Sequence, residues 1–426
     1  MLDQPSMARV ARSSWVPWFI FGLAVGLSLL FSLVVYPRLA GPYDAVLDPD
    51  GYGSIARGIW TYGDFCYIED KGITVFRGPV YPYFLAFTLY ASDGVWPQAA
   101  QIAQCLFFGA TCLLVYFMVG RMWGPRDATF ASLICAVHPL LIWYTSRIWI
   151  DSLLSFLFTL LMLSVVFLFE RPSWKRAALV GITLGVCILA KSNFIPIAIV
   201  LAMMLLLERI TSFKQTLTIL SVAALLVIPW TIRNYHVTGA FIPVHIGAGV
   251  NVSEGDTRAE HASEYPLEFG PIFEKYHQPK LQHIVDTSGV ISDSNPRWKN
   301  EVDIDRVLVK QSFDRYREDP SFLAWKVAYN SWQYWLGSQT KLKTIVVMIL
   351  QVPLLLLFVV GVYQGTRTTL SKLVVTQLVV IMVYYVLHLP MEGQARYSLA
   401  LIPTMVGFAV LPLISLRARD ASEPLS

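Results

Sequence analysis

The chain has 426 residues, 55% of them hydrophobic and 13% aromatic, with only 15% charged and a mean hydropathy of +0.53. A soluble domain carries about 25% charged residues, so this composition excludes a soluble enzyme, a disordered scaffold and a disulfide-stapled secreted module, and leaves a polytopic membrane protein. The net charge of +4 gives no reason to expect nucleic-acid binding, which rests on dense phosphate neutralisation.

In chain order, apolar stretches close to the roughly 20 residues that cross a bilayer fall at 17–36, 99–120, 128–144, 150–169, 217–232, 344–363, 373–389 and 399–416. The stretch 177–207 is interrupted by Lys191, Ser192, Asn193 and Pro196, which predicts two short helices turning at Lys191. The expected fold is therefore an all-α integral membrane protein, a polytopic bundle of about ten transmembrane helices with exoplasmic interfacial helices and one large outer loop. The first span follows Arg9 and Arg12 without a small-residue cleavage site and reads as a retained helix. Five cysteines (Cys66, Cys105, Cys112, Cys135, Cys187) show no metal-ligand spacing.

Orientation follows from the Lys/Arg bias of short loops. With the N-terminus inside, the basic connections at Arg121 and Arg126, at Arg171, Lys175 and Arg176, at Arg209 and Lys214, at Arg367 and Lys372, and at Arg417 and Arg419 all fall on the cytoplasmic side. Residues 233–320 hold 14 of the 29 acids, which puts the polar chemistry outside. Three regions result: 1–232, a transmembrane module with a first outer loop at 37–97; 233–343, an outer loop with amphipathic helices; and 344–426, the C-terminal membrane helices. Within the outer loop a helix is expected over 303–318, ended by Pro320, followed by an aromatic-rich interfacial segment over 322–336.

The first outer loop is the richest in chemistry. Asp48 and Asp50 precede apolar positions at helical spacing (Tyr52, Ile55, Ala56, Ile59). This predicts carboxylates at the N-terminus of a short interfacial helix, where the helix dipole favours negative charge; a capping pair and a catalytic base both fit. Arg77 directly precedes the Pro-broken apolar segment 79–90, with Tyr81 and Tyr83, and fits either a phosphate ligand or an arginine that snorkels to headgroups. Asp151, Lys191, Arg233, Glu392 and Arg396 fall at the outer ends of apolar segments. Ionisable groups at membrane depth are costly, and either line a cavity or pair with one another. Asp151 with Arg147 and Glu392 with Arg396 have the spacing for such pairs, and Lys191 and Arg233 could serve as helix-end anchors. The histidines lack zinc-ligand spacing; His236, His245, His261, His277 and His283 read as solvated loop residues, and His138 before Pro139 as a kink. There is no phosphate-binding Gly-Lys loop, dinucleotide fingerprint or serine elbow.

The pattern Asp-x-x-x-Tyr-x-x-x-Ala-Arg (Asp48, Tyr52, Ala56, Arg57) followed by Arg-x-Pro-x-Tyr-Pro from Arg77 resembles the first exoplasmic loop of the GT-C glycosyltransferases. These polytopic enzymes include the protein O-mannosyltransferases and the lipid A aminoarabinose transferase. Further likenesses follow in the family's order: 146–154 around Asp151 resembles its second acidic site, 181–191 its helix ending in Lys, Pro229-Trp230-x-x-Arg233-Asn234 its entry into the large outer loop, and Arg396-Tyr397 with Pro403 its last helix. One departure is local: where aminoarabinose-type enzymes have Asp-Glu, this chain has Asp48-Pro49.

The resemblance implies transfer of a sugar from a polyprenyl-phosphate donor to a hydroxyl acceptor (glycan, glycolipid or protein) on the outer face, with inversion. It implies catalysis by Asp48 with Asp50 or Asp151, donor-phosphate binding by Arg77 and by Lys191, Arg233 or Arg396, and substrate contacts from Tyr52, Tyr81, Glu392 and Tyr397. No cofactor is spelled out, although clustered carboxylates would accept a divalent metal. The expected setting is the lipid bilayer of a bacterial inner membrane, with both termini cytoplasmic. A transporter or flippase of lipid-linked sugars is the rival reading, disfavoured because no repeat is visible and the charges gather at one face. A non-catalytic assembly subunit and a ligase using a diphosphate carrier are two others.

Overall fold

The computed structural model describes residues 15–40, 48, 50–289, 291–292 and 294–420, with side chains up to 413. Arg9, Arg12, Pro49 and the side chains of Arg417 and Arg419 lie outside the described residues, as does 41–47 of the first outer loop. The described residues are helical throughout, apart from loops and one isolated bridge between Cys66 and Ile73.

Helix α1 (Val16–Leu30) runs on through a π turn at Phe31–Val35 to Tyr36–Ala40. The first outer loop then holds two short helices, α2 (Tyr52–Tyr62) and α3 (Val80–Ala91), before the long α4 (Gln98–Met122). The expected span 128–144 is two helices, α5 (Pro125–Ala136) and α6 (Pro139–Thr145), bent by 53° at the break. Pro139 supplies no backbone N–H and cannot continue the ladder from α5. Helix α7 (Asp151–Glu170) leads to α8 (Trp174–Ala190) and α9 (Phe194–Leu207), which turn at Lys191 as predicted, and then to α10 (Phe213–Thr238). The segment after α10 then holds α11 (Ala248–Glu260), a short helical run from Gly270 that leads into α12 (Gln278–Thr287), α13 (Arg297–Glu318) and α14 (Pro320–Leu336). The chain ends with α15 (Lys341–Thr366), α16 (Ser371–Val386), a 3₁₀ turn at Ala395–Ala400 and α17 (Ile402–Asp420).

This is a multi-pass membrane protein. Among the described residues five helices are long and apolar enough to cross a bilayer, α1 with its extension, α4, α7, α10 and α15, or six if the bent α5–α6 pair counts as one span. The count of about ten is not reached by this measure, because the apolar helices α3, α9, α16 and Ile402–Leu413 have only 10–17 residues. Helix α7 is the hub, packed against α4 on one side and α8 on another, with α10 beyond α8 and α17 against α15. In lipid, α10 and α15 leave large apolar side chains such as Leu217, Leu225, Ile349 and Leu356 exposed, a surface that water would not tolerate. Several polar groups inside the bundle pair with one another, as lipid favours: Ser32 with Thr145 at 3.0 Å, Gln351 Nε2 donating to Ser398 at 2.9 Å, and Ser155 Oγ donating to the Leu399 carbonyl at 3.0 Å.

Helices α11, α13 and α14 are fastened by a buried ion pair. Lys326 on α14 is fully buried and its Nζ donates to Asp256 on α11 at 2.6 Å and to the Val252 carbonyl at 2.9 Å. Ser312 and Tyr316 on α13 donate to the two oxygens of Asp256, at 2.6 and 2.5 Å. A buried charge pair is favourable only when its remaining donors and acceptors are satisfied, and this network meets that condition. It holds α11, α13 and α14 as one block.

Candidate active site

Asp48 lies just ahead of α2. Gly51, with φ 72°, turns the chain into the helix, a conformation for which glycine is suited. The amides of Gly53 and Ser54 then donate to Asp48 Oδ2 at 2.7 and 3.1 Å, which is how a carboxylate caps a helix start. Oδ1 is buried and has no hydrogen-bond partner. Burial, reinforced by nearby Asp50, pushes this carboxyl up to about 7 against the pull of the two amides and Arg77.

Asp50 sits in a different electrostatic setting. Arg396 donates to its Oδ2 at 3.2 Å, Arg77 NH2 is 3.7 Å from its Oδ1, and Arg77 Nε donates to its carbonyl at 2.8 Å. Burial works against ionisation, but Arg396, Arg77 and Lys191 outweigh it and hold the carboxyl below the ordinary range. Two neighbouring aspartates are thereby driven apart, one toward the neutral form and one fixed as an anion.

Aromatic rings form the floor. Arg77 lies over Tyr52 and Phe76 at 5.0 and 4.8 Å, and Tyr52 meets Tyr81 edge-on at 5.0 Å. Tyr81 is fully buried and donates to Gln104 Oε1 at 2.8 Å. Gln104 Nε2 donates to the carbonyls of Thr145 and Arg147, and Gln101 Nε2 to that of Ser146. These amides fix the turn that delivers Asp151, the first residue of α7 and 4% exposed, whose charged neighbours are Arg396, Lys191 and Asp50.

The remaining residues singled out in the sequence divide in two. Arg396 stacks on Trp149 at 4.8 Å and donates to the Tyr397 hydroxyl at 3.3 Å, and Lys191 lies over the Tyr397 ring at 4.4 Å. Asp48, Asp50, Tyr52, Arg77, Tyr81, Asp151, Lys191, Arg396 and Tyr397 are thus linked into one site. Arg233 is not part of it: wedged against Trp230 and Phe65, it donates to the Thr74 carbonyl at 2.9 Å. Glu392 adjoins the cluster but turns to Arg258, 3.0 Å away, and to the Tyr397 hydroxyl at 3.2 Å. His245 and His277 are not solvated. Burial lowers both imidazoles to about 4, and His245 contacts Ser192 beside Lys191 at 3.3 Å. Gln101, Gln104 and Arg258 carry no local motif, so sequence reasoning passed over them, and Trp149 lay within the 146–154 motif without a role of its own.

A divalent metal would need several free carboxylate oxygens. Both oxygens of Asp50 face arginines and one oxygen of Asp48 faces two amides, and among the described residues no group of three His, Cys, Asp or Glu side chains could hold a metal ion. The donor set does not fit a resident metal, and no metal-dependent step is derived.

Residues 76–232 match the family model of dolichyl-phosphate-mannose-protein mannosyltransferases. The fold resembles that of the archaeal oligosaccharyltransferase AglB from Archaeoglobus fulgidus, solved with an inhibitory peptide and a dolichol-phosphate, with a TM-score of 0.55 at 13% identity over 97% of this chain. The family match covers less than half of the chain, and the likeness to AglB is one of fold. The same archaeal enzyme tethered to an acceptor peptide gives 0.56 at 14% identity over 96% of this chain and 50% of that one. The chain spans about half the length of AglB, 53% in the first comparison. ArnT from Cupriavidus metallidurans bound to undecaprenyl phosphate is a looser likeness, with a TM-score of 0.43 at 15% identity over 93% of this chain and 78% of that one. No curated protein matches the sequence.

Proposed function

We propose that this protein is a GT-C glycosyltransferase that moves a sugar from a polyprenyl-phosphate donor to a hydroxyl acceptor at the outer face of a bacterial inner membrane, by a single inverting displacement. The observation that carries the reading is Asp48: one oxygen is tied down by two amides while the other is buried and unpartnered, with Asp50 and Arg77 close enough to act on the carboxyl. The acceptor oxygen attacks the anomeric carbon while Asp48 Oδ1 takes its proton. The bond from that carbon to the phosphate oxygen breaks, and its electron pair leaves on the polyprenyl phosphate.

Such a leaving group needs no acid if cations stabilise its growing charge. Arg77, Arg396 and Lys191 are suited to this, with Asp50 spacing the two arginines. Asp151 is assigned to orienting the acceptor, and Tyr52 and Tyr81 to shaping the floor. Arg233, spent on backbone carbonyls, and Glu392, spent on Arg258, are left out of direct substrate contact. The carrier chain is assigned to the membrane side near α3, a short apolar helix with exposed Tyr83, Phe87 and Tyr90. The dolichol-phosphate found with AglB supports a lipid-phosphate partner.

The test is Asp48→Asn in purified, lipid-reconstituted protein. Asparagine still caps a helix, so the fold and polyprenyl-phosphate binding should persist while transfer falls about 10²- to 10⁴-fold, the usual worth of a positioned base. Transfer at the wild-type rate would overturn the assignment.

A further inference from the structure

The clamp around Asp50 is tied to the outer helices by groups that no catalytic step uses. Arg258 on α11 is 2% exposed, with its guanidinium over Phe269 at 3.8 Å. It lies between Glu254, one turn back on the same helix, and Glu392 Oε1 at 3.0 Å. Glu392 is also 2% exposed, and its Oε2 accepts from the Tyr397 hydroxyl at 3.2 Å. That hydroxyl accepts from Arg396 NH2 at 3.3 Å, while Arg396 NH1 donates to Asp50 at 3.2 Å. An unbroken line of buried polar contacts therefore runs from α11 to the clamp.

We propose that Arg258 and Glu392 are positioning residues that set Arg396 for the donor phosphate through the Tyr397 hydroxyl. The proposal rests on reading Arg396 as a phosphate ligand. An arginine side chain carries about 2 kcal/mol of rotamer entropy, and a site stabilises developing charge best when its donors are already in place. Asp50 alone fixes one nitrogen of Arg396; the tyrosine fixes the second and so sets the plane of the fork. The tyrosine hydroxyl is held by Glu392, and Glu392 by Arg258. The base of the line cannot drift: α11 is locked by the Lys326–Asp256 pair, and a Cβ at Gly255 would collide with the Met391 carbonyl oxygen. In this arrangement the outer segment completes the phosphate site instead of only covering it.

A plain buried ion pair that glues two segments together would show much of the same geometry. A double-mutant cycle separates the two, read as undecaprenyl phosphate affinity by calorimetry in nanodiscs. Tyr397→Phe removes only the hydroxyl and keeps the ring under Lys191; it should weaken binding about tenfold, the factor that corresponds to ~1.4 kcal/mol and one hydrogen bond to a charged group. Arg258→Met should weaken it to a similar extent, and the double variant should be no weaker than Tyr397→Phe alone. Losses that multiply would overturn the brace. If Arg258→Met does not fold, Glu392→Gln with Tyr397→Phe gives an equivalent cycle with the same two outcomes. The pH midpoint of transfer should stay where it is in all variants, because Asp48 lies outside the line. Wild-type protein that binds no undecaprenyl phosphate would overturn the phosphate-clamp reading itself, whereas wild-type binding with multiplying losses would overturn only the brace.

Discussion

Asp48 serves the helix with one oxygen and is free to serve the acceptor with the other. Its elevated carboxyl, near 7, sets a pH dependence with a definite sign. Only the ionised form accepts a proton, so transfer should rise with pH as Asp48 deprotonates, level off above about 8, and fall by roughly tenfold per pH unit below the midpoint. Initial rates measured from about pH 5 to 9 at saturating donor report this; a rate flat down to the ordinary carboxylate range would remove Asp48 as the base. The clamp should not contribute to that titration, because the arginines keep Asp50 ionised throughout. At this scale the sequence was informative but ambiguous. The spacing of Asp48 and Asp50 ahead of Tyr52 suggested both a cap and a base, and Asp48 turns out to have the geometry for both. What spacing could not reveal is that the two aspartates have opposite environments, since Arg396 reaches Asp50 across 346 positions of chain.

Among the elements, α11 is the one whose position the site depends on. Replacing a mid-helix glycine by alanine ordinarily gains up to about 1 kcal/mol. At Gly255 the sign should reverse, because the added carbon meets the Met391 carbonyl, and overpacking of this kind costs about 1–3 kcal/mol. Gly255→Ala should lower the thermal midpoint of the purified protein; a raised midpoint would show that the 388–393 loop yields easily. Helix boundaries illustrate why patterns mislead. The helix expected over 303–318 begins six residues earlier, at Arg297, just after Pro296. Its end at Glu318, just before Pro320, is as expected, and Pro320 also opens α14, where the Asp319 carboxylate accepts from the Phe322 amide at 3.1 Å and starts a new helix. The 128–144 segment is mostly apolar, so hydropathy merged what Pro139 divides.

For the whole molecule, the orientation read from the loop charges has a clean assay. All five native cysteines are buried, so a single introduced thiol should report with little background. In intact inner-membrane spheroplasts, Lys310→Cys on the outer helix α13 should react with an impermeant maleimide, and Lys175→Cys at the start of α8 only after lysis. The opposite pattern would invert the topology. The helical, multi-pass class was legible because lipid leaves few other solutions for a chain this apolar. Most of the candidate site was legible because ionisable groups at the ends of apolar segments are costly and either line a cavity or pair with one another. The Arg258–Glu392 pair was not, since it joins segments 134 positions apart with no shared pattern. The crowding of Arg77, Arg396 and Lys191 around Asp50 also bears on turnover. A glycosyl donor offers the clamp a phosphodiester with a single negative charge, whereas the spent carrier is a monoester with about −1.5 to −2 near pH 7. The site therefore grips what it has finished with more firmly than what it needs next. Departure of the bare carrier should limit the steady state: the first turnover should appear as a burst, added polyprenyl phosphate should slow every later one, and a linear time course with no burst would show that chemistry, not release, sets the pace.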